Sequence, residues 1–226
     1  MTIVVIPVYN EVTQLDFTAP HQFLAMVPDI TVIVASVEGT AIGSQGLSFD
    51  QLADLEAIEK CDVLCVPGGL GCIEAMENPR FLSAVRRLAG TASYVTSVCS
   101  GSLILGAAGV LKGRRAACHW AWRDMLSAFG AIPDASRVVR DGNIITGGGV
   151  TAGVDFALTL ISELRGADTA QAVQLALEYA PSPPFNAGRP DTAPLHIRDA
   201  VAAQMEALLG DGRNRVSAIA KENLAA

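Results

Sequence analysis

Residues 94–105 read Tyr-Val-Thr-Ser-Val-Cys-Ser-Gly-Ser-Leu-Ile-Leu. The first five are dominated by β-branched and aromatic side chains, the pattern of a strand covered on both faces. Ser100 and Gly101 are small enough for a tight turn, and an apolar stretch read as a helix follows over about 102–111. A strand that turns straight into a helix displays its turn residue at the carboxyl end of a sheet. Here that residue is Cys99, as in a nucleophile elbow with Cys in place of Ser. A helix N-terminus beside a thiol stabilises the thiolate, and its N–H groups can hold a developing anion. The plainer reading is a small buried Cys at a strand end, the common place of a free thiol.

Similar strands precede the elbow. Residues 3–8 (Ile-Val-Val-Ile-Pro-Val), 30–37 and 62–66 are further continuous apolar runs. Between them, the pattern suggests a helix over about 19–27 with Pro20 in its first turn, and a short one from Asp54 to Lys60. Asn78-Pro79 opens another, carrying the stripe Phe81, Leu82, Val85 and Leu88. Alternating strands and helices imply an α/β fold with a mostly parallel sheet and helices on both faces. Asp141-Gly142, between two β-branched runs over 137–146, signals a β-hairpin. Gly147, Gly148 and Gly149 lead into an apolar helix at about 151–165, and another runs to about Tyr179. The prolines at 181, 183, 184 and 190 make residues 180–194 an extended strap. Helices are expected over about 194–209 and on to about 222. One domain over 1–226 is the expected organisation.

Composition excludes several classes. The 226 residues are half apolar and only 17% charged, which is not the signature of disorder. A net charge of −7 without a basic run makes nucleic acid an unexpected partner. The longest apolar stretches are about 10 residues, against the ~20 of a membrane span. The N-terminus lacks a basic region and a small-residue cleavage site, so a cytoplasmic location is expected. Five cysteines in a reducing compartment are not expected to form disulfides. Cys61, Cys65 and Cys72 have no CxxC spacing and no nearby His, so no metal site is expected.

Open parallel sheets place their sites at strand carboxyl ends. After residues 62–66 comes Pro67-Gly-Gly-Leu70, where backbone N–H groups near Gly69 and Leu70 could join that of Ser100 in an anion hole. After residues 3–8 comes Asp16, either a helix cap or the acid–base partner of the thiol, with Glu11 as rival. His119, in Ala-Cys118-His-Trp120, is the one histidine following the elbow within the α/β core. It reads equally well as a partner of Cys99 or as a core histidine.

Three segments, Val66-Pro-Gly-Gly69, Val98-Cys-Ser-Gly-Ser102 and Arg115-Ala-Ala-Cys-His-Trp120, together resemble the ThiJ/PfpI family. Gln14-Leu-Asp-Phe-Thr-Ala-Pro20 and Leu177-Glu-Tyr-Ala-Pro-Ser-Pro-Pro-Phe-Asn-Ala-Gly188 are similar to its isonitrile hydratase subgroup. The resemblance implies a flavodoxin-like three-layer sandwich of the class I glutamine amidotransferase-like kind. It also implies a homodimer and hydration of an isonitrile to an N-substituted formamide without a cofactor. Cys99 would be the nucleophile, Asp16 the acid–base group and Ser100 an orienting hydroxyl. Many relatives have a Glu at the first strand end and a His directly after the Cys. Asp16 and Ser100 stand here instead, which argues against protease-like and amidotransferase-like chemistry. A glyoxalase- or deglycase-like enzyme and a non-catalytic thiol redox sensor are the alternatives.

Overall fold

The structure, a computed structural model, describes residues 1–225. Its sheet is built on β1 (Thr2–Pro7), β2 (Ile30–Ser36), β6 (Val63–Val66), β7 (Tyr94–Val98) and the edge hairpin β10 (Val138–Asp141) with β11 (Ile144–Gly147). Two short hairpin strands, β3 (Ile42–Ser44) and β4 (Leu47–Phe49), and a two-residue strand β5 (Ala53–Asp54) lie between β2 and β6. Another pair, β8 (Arg115–Ala116) and β9 (Ile132–Pro133), stands apart. The main sheet runs β10-β11-β7-β6-β1-β2-β5, parallel throughout except for β10. Val4, Val5, Ile6, Leu64, Cys65 and Val66 are fully buried, as expected of strands covered on both faces.

Helices α1 (Gln14–Ala25), α5 (Ala152–Arg165) and α6 (Ala167–Ala176) pack on one face. Helices α2 (Cys72–Glu77), α3 (Pro79–Thr91), α4 (Gly101–Ala107) and α8 (Gly212–Ala225) group on the other. This is the flavodoxin-like three-layer arrangement expected from the sequence. Helix α3 starts as expected. Asn78 caps it, its side chain accepting from the Arg80 and Phe81 N–H groups, and Pro79 fills the first position. Helix α7 (Leu195–Leu209) follows the strap and buries none of its residues. No helix among the described residues is long and apolar enough to cross a membrane.

Several local expectations are corrected. Helix α1 begins at Gln14, not near residue 19, and Pro20 lies inside it. Pro20 cannot donate to the carbonyl one turn back, that of Asp16. Its ring instead packs where α5 begins, close to Gly153. The helix expected over Asp54–Lys60 does not form. Ala53 and Asp54 join the sheet edge beside β2, and the Leu55 N–H donates to the Ser36 carbonyl. The helix after the elbow ends at Ala107 and gives way to turns before residue 111. Helix α6 ends at Ala176, just short of Tyr179.

Candidate active site

The sheet order reverses direction around β1. β2 lies on one side of it and β6, then β7, on the other. Three neighbouring strands thus end side by side at the switch point, where α/β sheets form their crevices. β1 leads to Asp16, β6 to Gly68-Gly69 and β7 to Cys99.

Cys99 has φ +59, the left-handed region that a non-glycine residue enters at a cost of about 1–2 kcal/mol. The surroundings hold it there. Its N–H donates to the carbonyls of Gly147 (3.1 Å) and Gly148 (2.8 Å) at the end of β11. On the far side of the turn, Gly101 lies so close to the Val66 carbonyl that any side chain would collide with it. The elbow expected from the sequence is present, and Cys99 is 4% exposed.

Asp16 is fully buried beside it. As the third residue of α1 it does not cap that helix. Its Oδ2 accepts the Gly68 N–H at 3.0 Å, across 52 residues of chain. Its Oδ1 has no hydrogen-bond partner among the described residues. Burial pushes its pKa up to about 7, and the Gly68 N–H and the Cys99 thiol draw it partly back. Glu11, the rival carboxylate, is exposed, at φ +58 in the turn after β1. Asp16 is therefore the carboxyl group that reaches the thiol.

The expectation of a lowered thiol pKa is overturned. Burial holds the Cys99 thiol well above its usual range, and the neighbouring Asp16 charge adds to this. The Ser100 N–H opposes both but does not win. Helix α4 is only seven residues long, and a short helix end is a weak counterweight to desolvation. The resting pair is thus a thiol beside a carboxyl that titrates near neutrality.

Gly69 and Ser100 also differ from expectation. The Gly69 N–H donates to Ser100 Oγ at 3.0 Å, so it is engaged within the protein and not offered to a ligand. The Ser100 hydroxyl donates to the Gly69 carbonyl at 3.3 Å and lies beside Cys72. Among the described residues its hydroxyl is thus hydrogen-bonded to neither Asp16 nor Cys99. It locks the glycine loop onto the elbow, as a positioning residue. A Cβ on Gly68 would fall 2.6 Å from Ser100 Oγ, so only glycine permits this approach. The loop is pinned from its other side too. The Tyr9 hydroxyl donates to the Pro67 carbonyl at 3.0 Å, and the Thr13 N–H to the Gly68 carbonyl at 2.9 Å. Leu70, 43% exposed, carries the loop to the surface.

His119 is half-buried between the rings of Trp120 and Trp122. Its Nδ1 accepts the Ala121 N–H at 3.4 Å, and burial lowers its pKa, so the neutral ring keeps its proton on Nε2. It faces Gly149 and lines a cavity of about 290 Å³ that reaches Gly148. The ring belongs to this cavity wall and has no hydrogen bond to Cys99 among the described residues. The backbone acceptors Gly147 and Gly148 are the site residues that sequence reasoning missed. A glycine triplet at the end of a strand beside the elbow strand was the available signal. The other thiols have no comparable setting: Cys61, Cys65, Cys72 and Cys118 are free and buried, and burial raises the pKa of each.

Comparison with known proteins identifies the fold and the family. Isonitrile hydratase of Pseudomonas putida is 53% identical over 192 residues, covering 84% of this chain and 84% of that protein. The crystal structure of a ThiJ/PfpI family protein from Pseudomonas syringae superposes with a TM-score of 0.91 at 40% identity, over 97% of this chain and 90% of that one. Drosophila melanogaster DJ-1beta superposes at 0.71 with 26% identity, over 80% and 99%. The pattern of one family spans residues 2–163, including β1, both glycine loops and the elbow, and the chain belongs to that family, DJ-1/PfpI.

Proposed function

We propose that this protein hydrates isonitriles to N-substituted formamides through a covalent adduct on Cys99. One observation carries the reading. A fully buried carboxyl has one oxygen fixed by the Gly68 N–H and the other unpartnered, beside a thiol held on a left-handed elbow. Ionised Asp16 takes the thiol proton and gives it to the terminal isonitrile carbon as sulfur bonds to that carbon. The product is a thioimidate, R–N=CH–S–Cys99. Water then adds to the same carbon. Asp16 receives the water proton and passes it to nitrogen, giving R–NH–CH(OH)–S–Cys99. The C–S bond breaks, the hydroxyl proton returns to sulfur through Asp16, and R–NH–CHO leaves. Each proton has a donor and an acceptor without a cofactor. The likeness to the P. putida isonitrile hydratase supports the substrate class.

The raised pKa of Cys99 counts against a peroxide sensor, which needs a standing thiolate. Intact-mass measurement after rapid mixing with cyclohexyl isonitrile tests the adduct. A transient gain of one substrate mass is expected in wild type and none in Cys99→Ala, which should release no formamide. Undiminished turnover by Cys99→Ala would end the proposal.

The protein is further proposed to be a symmetric dimer, as the resemblance implies, and the exposed apolar side chains point to where its copies meet. Residues 101–107 are all buried within the chain, and α5 buries Phe156, Leu160 and Ile161. Among the exposed apolar side chains, Leu175, Phe185, Leu195, Ile197 and Leu208 lie on α6, the strap and α7. Light scattering at micromolar concentration should give twice the chain mass.

A further inference from the structure

The cavity beside the elbow has an unbalanced charge. One of its lining residues is Gly148, whose carbonyl accepts the Cys99 N–H at 2.8 Å. Arg123, Arg137 and Arg189 all line it, and no Asp or Glu does. That is unexpected in a chain of net charge −7. Two of the three arginines are committed. Arg137 pairs with Asp155 and donates to the Thr151 carbonyl, and Arg189 pairs with Asp191. Arg123 is half-buried, with neither an ion pair nor a hydrogen bond among the described residues. The nearby acids are taken: Asp124 pairs with Arg213 at 2.8 Å, and Asp134 with Arg115 at 2.8 Å.

A guanidinium presents five N–H donors in a rigid fork suited to a carboxylate. Leaving it partly desolvated with no acceptor is unfavourable, and an incoming oxyanion would satisfy it. We propose that Arg123 anchors a carboxylate on the substrate, so that the preferred isonitriles are isocyano-carboxylates. The carboxylate sits at Arg123, and the isonitrile carbon points past Gly148 and Gly149 toward Cys99. This rests on the hydration reading and narrows it to an anionic substrate class. The neutral ring of His119, on the same wall, leaves Arg123 as the one uncommitted cation there among the described residues.

The experiment compares kcat/KM for isocyanoacetate with that for its neutral methyl ester. Wild type should favour the carboxylate. The ratio should fall about 10- to 100-fold in Arg123→Gln, mainly through KM for the carboxylate, the range expected for loss of a charged hydrogen-bonded pair. Arg123→Lys should recover part of it. An equal ratio in wild type and Arg123→Gln would overturn the proposal. A second measurement needs no turnover: titration with N-formylglycine, the carboxylate-bearing product, read by Trp120 fluorescence. Binding that weakens tenfold or more in Arg123→Gln supports the anion site even if no isonitrile is hydrated, and then only the hydration reading fails. Isonitrile turnover with N-formylglycine binding unchanged in Arg123→Gln removes the anion site and leaves hydration standing.

Discussion

A neutral side chain at position 16 should stabilise this protein above pH 7, at the cost of its activity. The folded-state pKa of Asp16 is raised from 3.8 to about 7 by burial. Between those values the folded protein holds a proton that the unfolded chain has released. Stability from this group is therefore fully present below about pH 4 and is lost as pH rises through 7, at about 1.4 kcal/mol per pH unit. The gap of about three units gives a total of about 4 kcal/mol, of which about 3 kcal/mol falls between pH 5 and pH 8. Asp16→Asn has no such titration. Its Oδ1 can still accept the Gly68 N–H, and any packing offset is the same at every pH. Urea unfolding of both proteins across pH 5–8.5 gives the difference directly, and other titrating groups cancel. The Asn variant should gain on wild type by about 3 kcal/mol over that range, most steeply below pH 7. Two parallel curves would show that Asp16 does not titrate near neutrality, and the proton relay built on it would fall.

The same carboxyl sets a pH–rate profile. kcat/KM should rise with pH through an apparent pKa near 7 as the Asp16–Cys99 pair reaches its thiol–carboxylate form, and this limb should vanish in Asp16→Asn. At the elbow, Cys99→Gly should be about 1 kcal/mol more stable than Cys99→Ala in thermal unfolding, because only glycine adopts φ +59 without strain. Ser100→Ala strips the Gly69 N–H of its acceptor, and should cost about 1–3 kcal/mol in urea unfolding and lower kcat.

The central strands were legible because a parallel strand covered on both faces writes itself as an unbroken apolar run, as in residues 3–8. Asn78-Pro79 was legible because capping is local chemistry. The segment at Asp54 was not. Its residues favour a helix, but two sheet pairings with β2 and the Leu55–Ser36 hydrogen bond outweigh that preference. The position of Cys99 at a strand end was readable, since it depends on five residues before it and a few after. Its protonation was not, because desolvation depends on everything packed around it and local sequence reports only the helix end. The roles of Gly69 and Ser100 were misassigned for a related reason. Each group could be placed at the site from the chain, but its hydrogen-bond partner is 31 residues away.

The two carbonyls that fix the Cys99 N–H have a consequence for the protein's birth. Gly147 and Gly148 lie almost fifty residues after the thiol, at the end of a strand made late in synthesis. By the time residue 107 is made, the chain contains β1, the glycine loop, the elbow and the carboxyl. The Gly101–Val66 contact and the Gly69–Ser100 bond can already form, but the carbonyls that receive the Cys99 N–H do not yet exist. The chain emerges from its N-terminus at about 5–20 residues per second, so the Cys99 N–H lacks both acceptors for several seconds of translation. The two acceptors reach the elbow only when β11 docks against β7. A chain cut short before β11 thus lacks the acceptors of the Cys99 N–H, and the elbow has its full set of hydrogen bonds only once most of the sheet is complete.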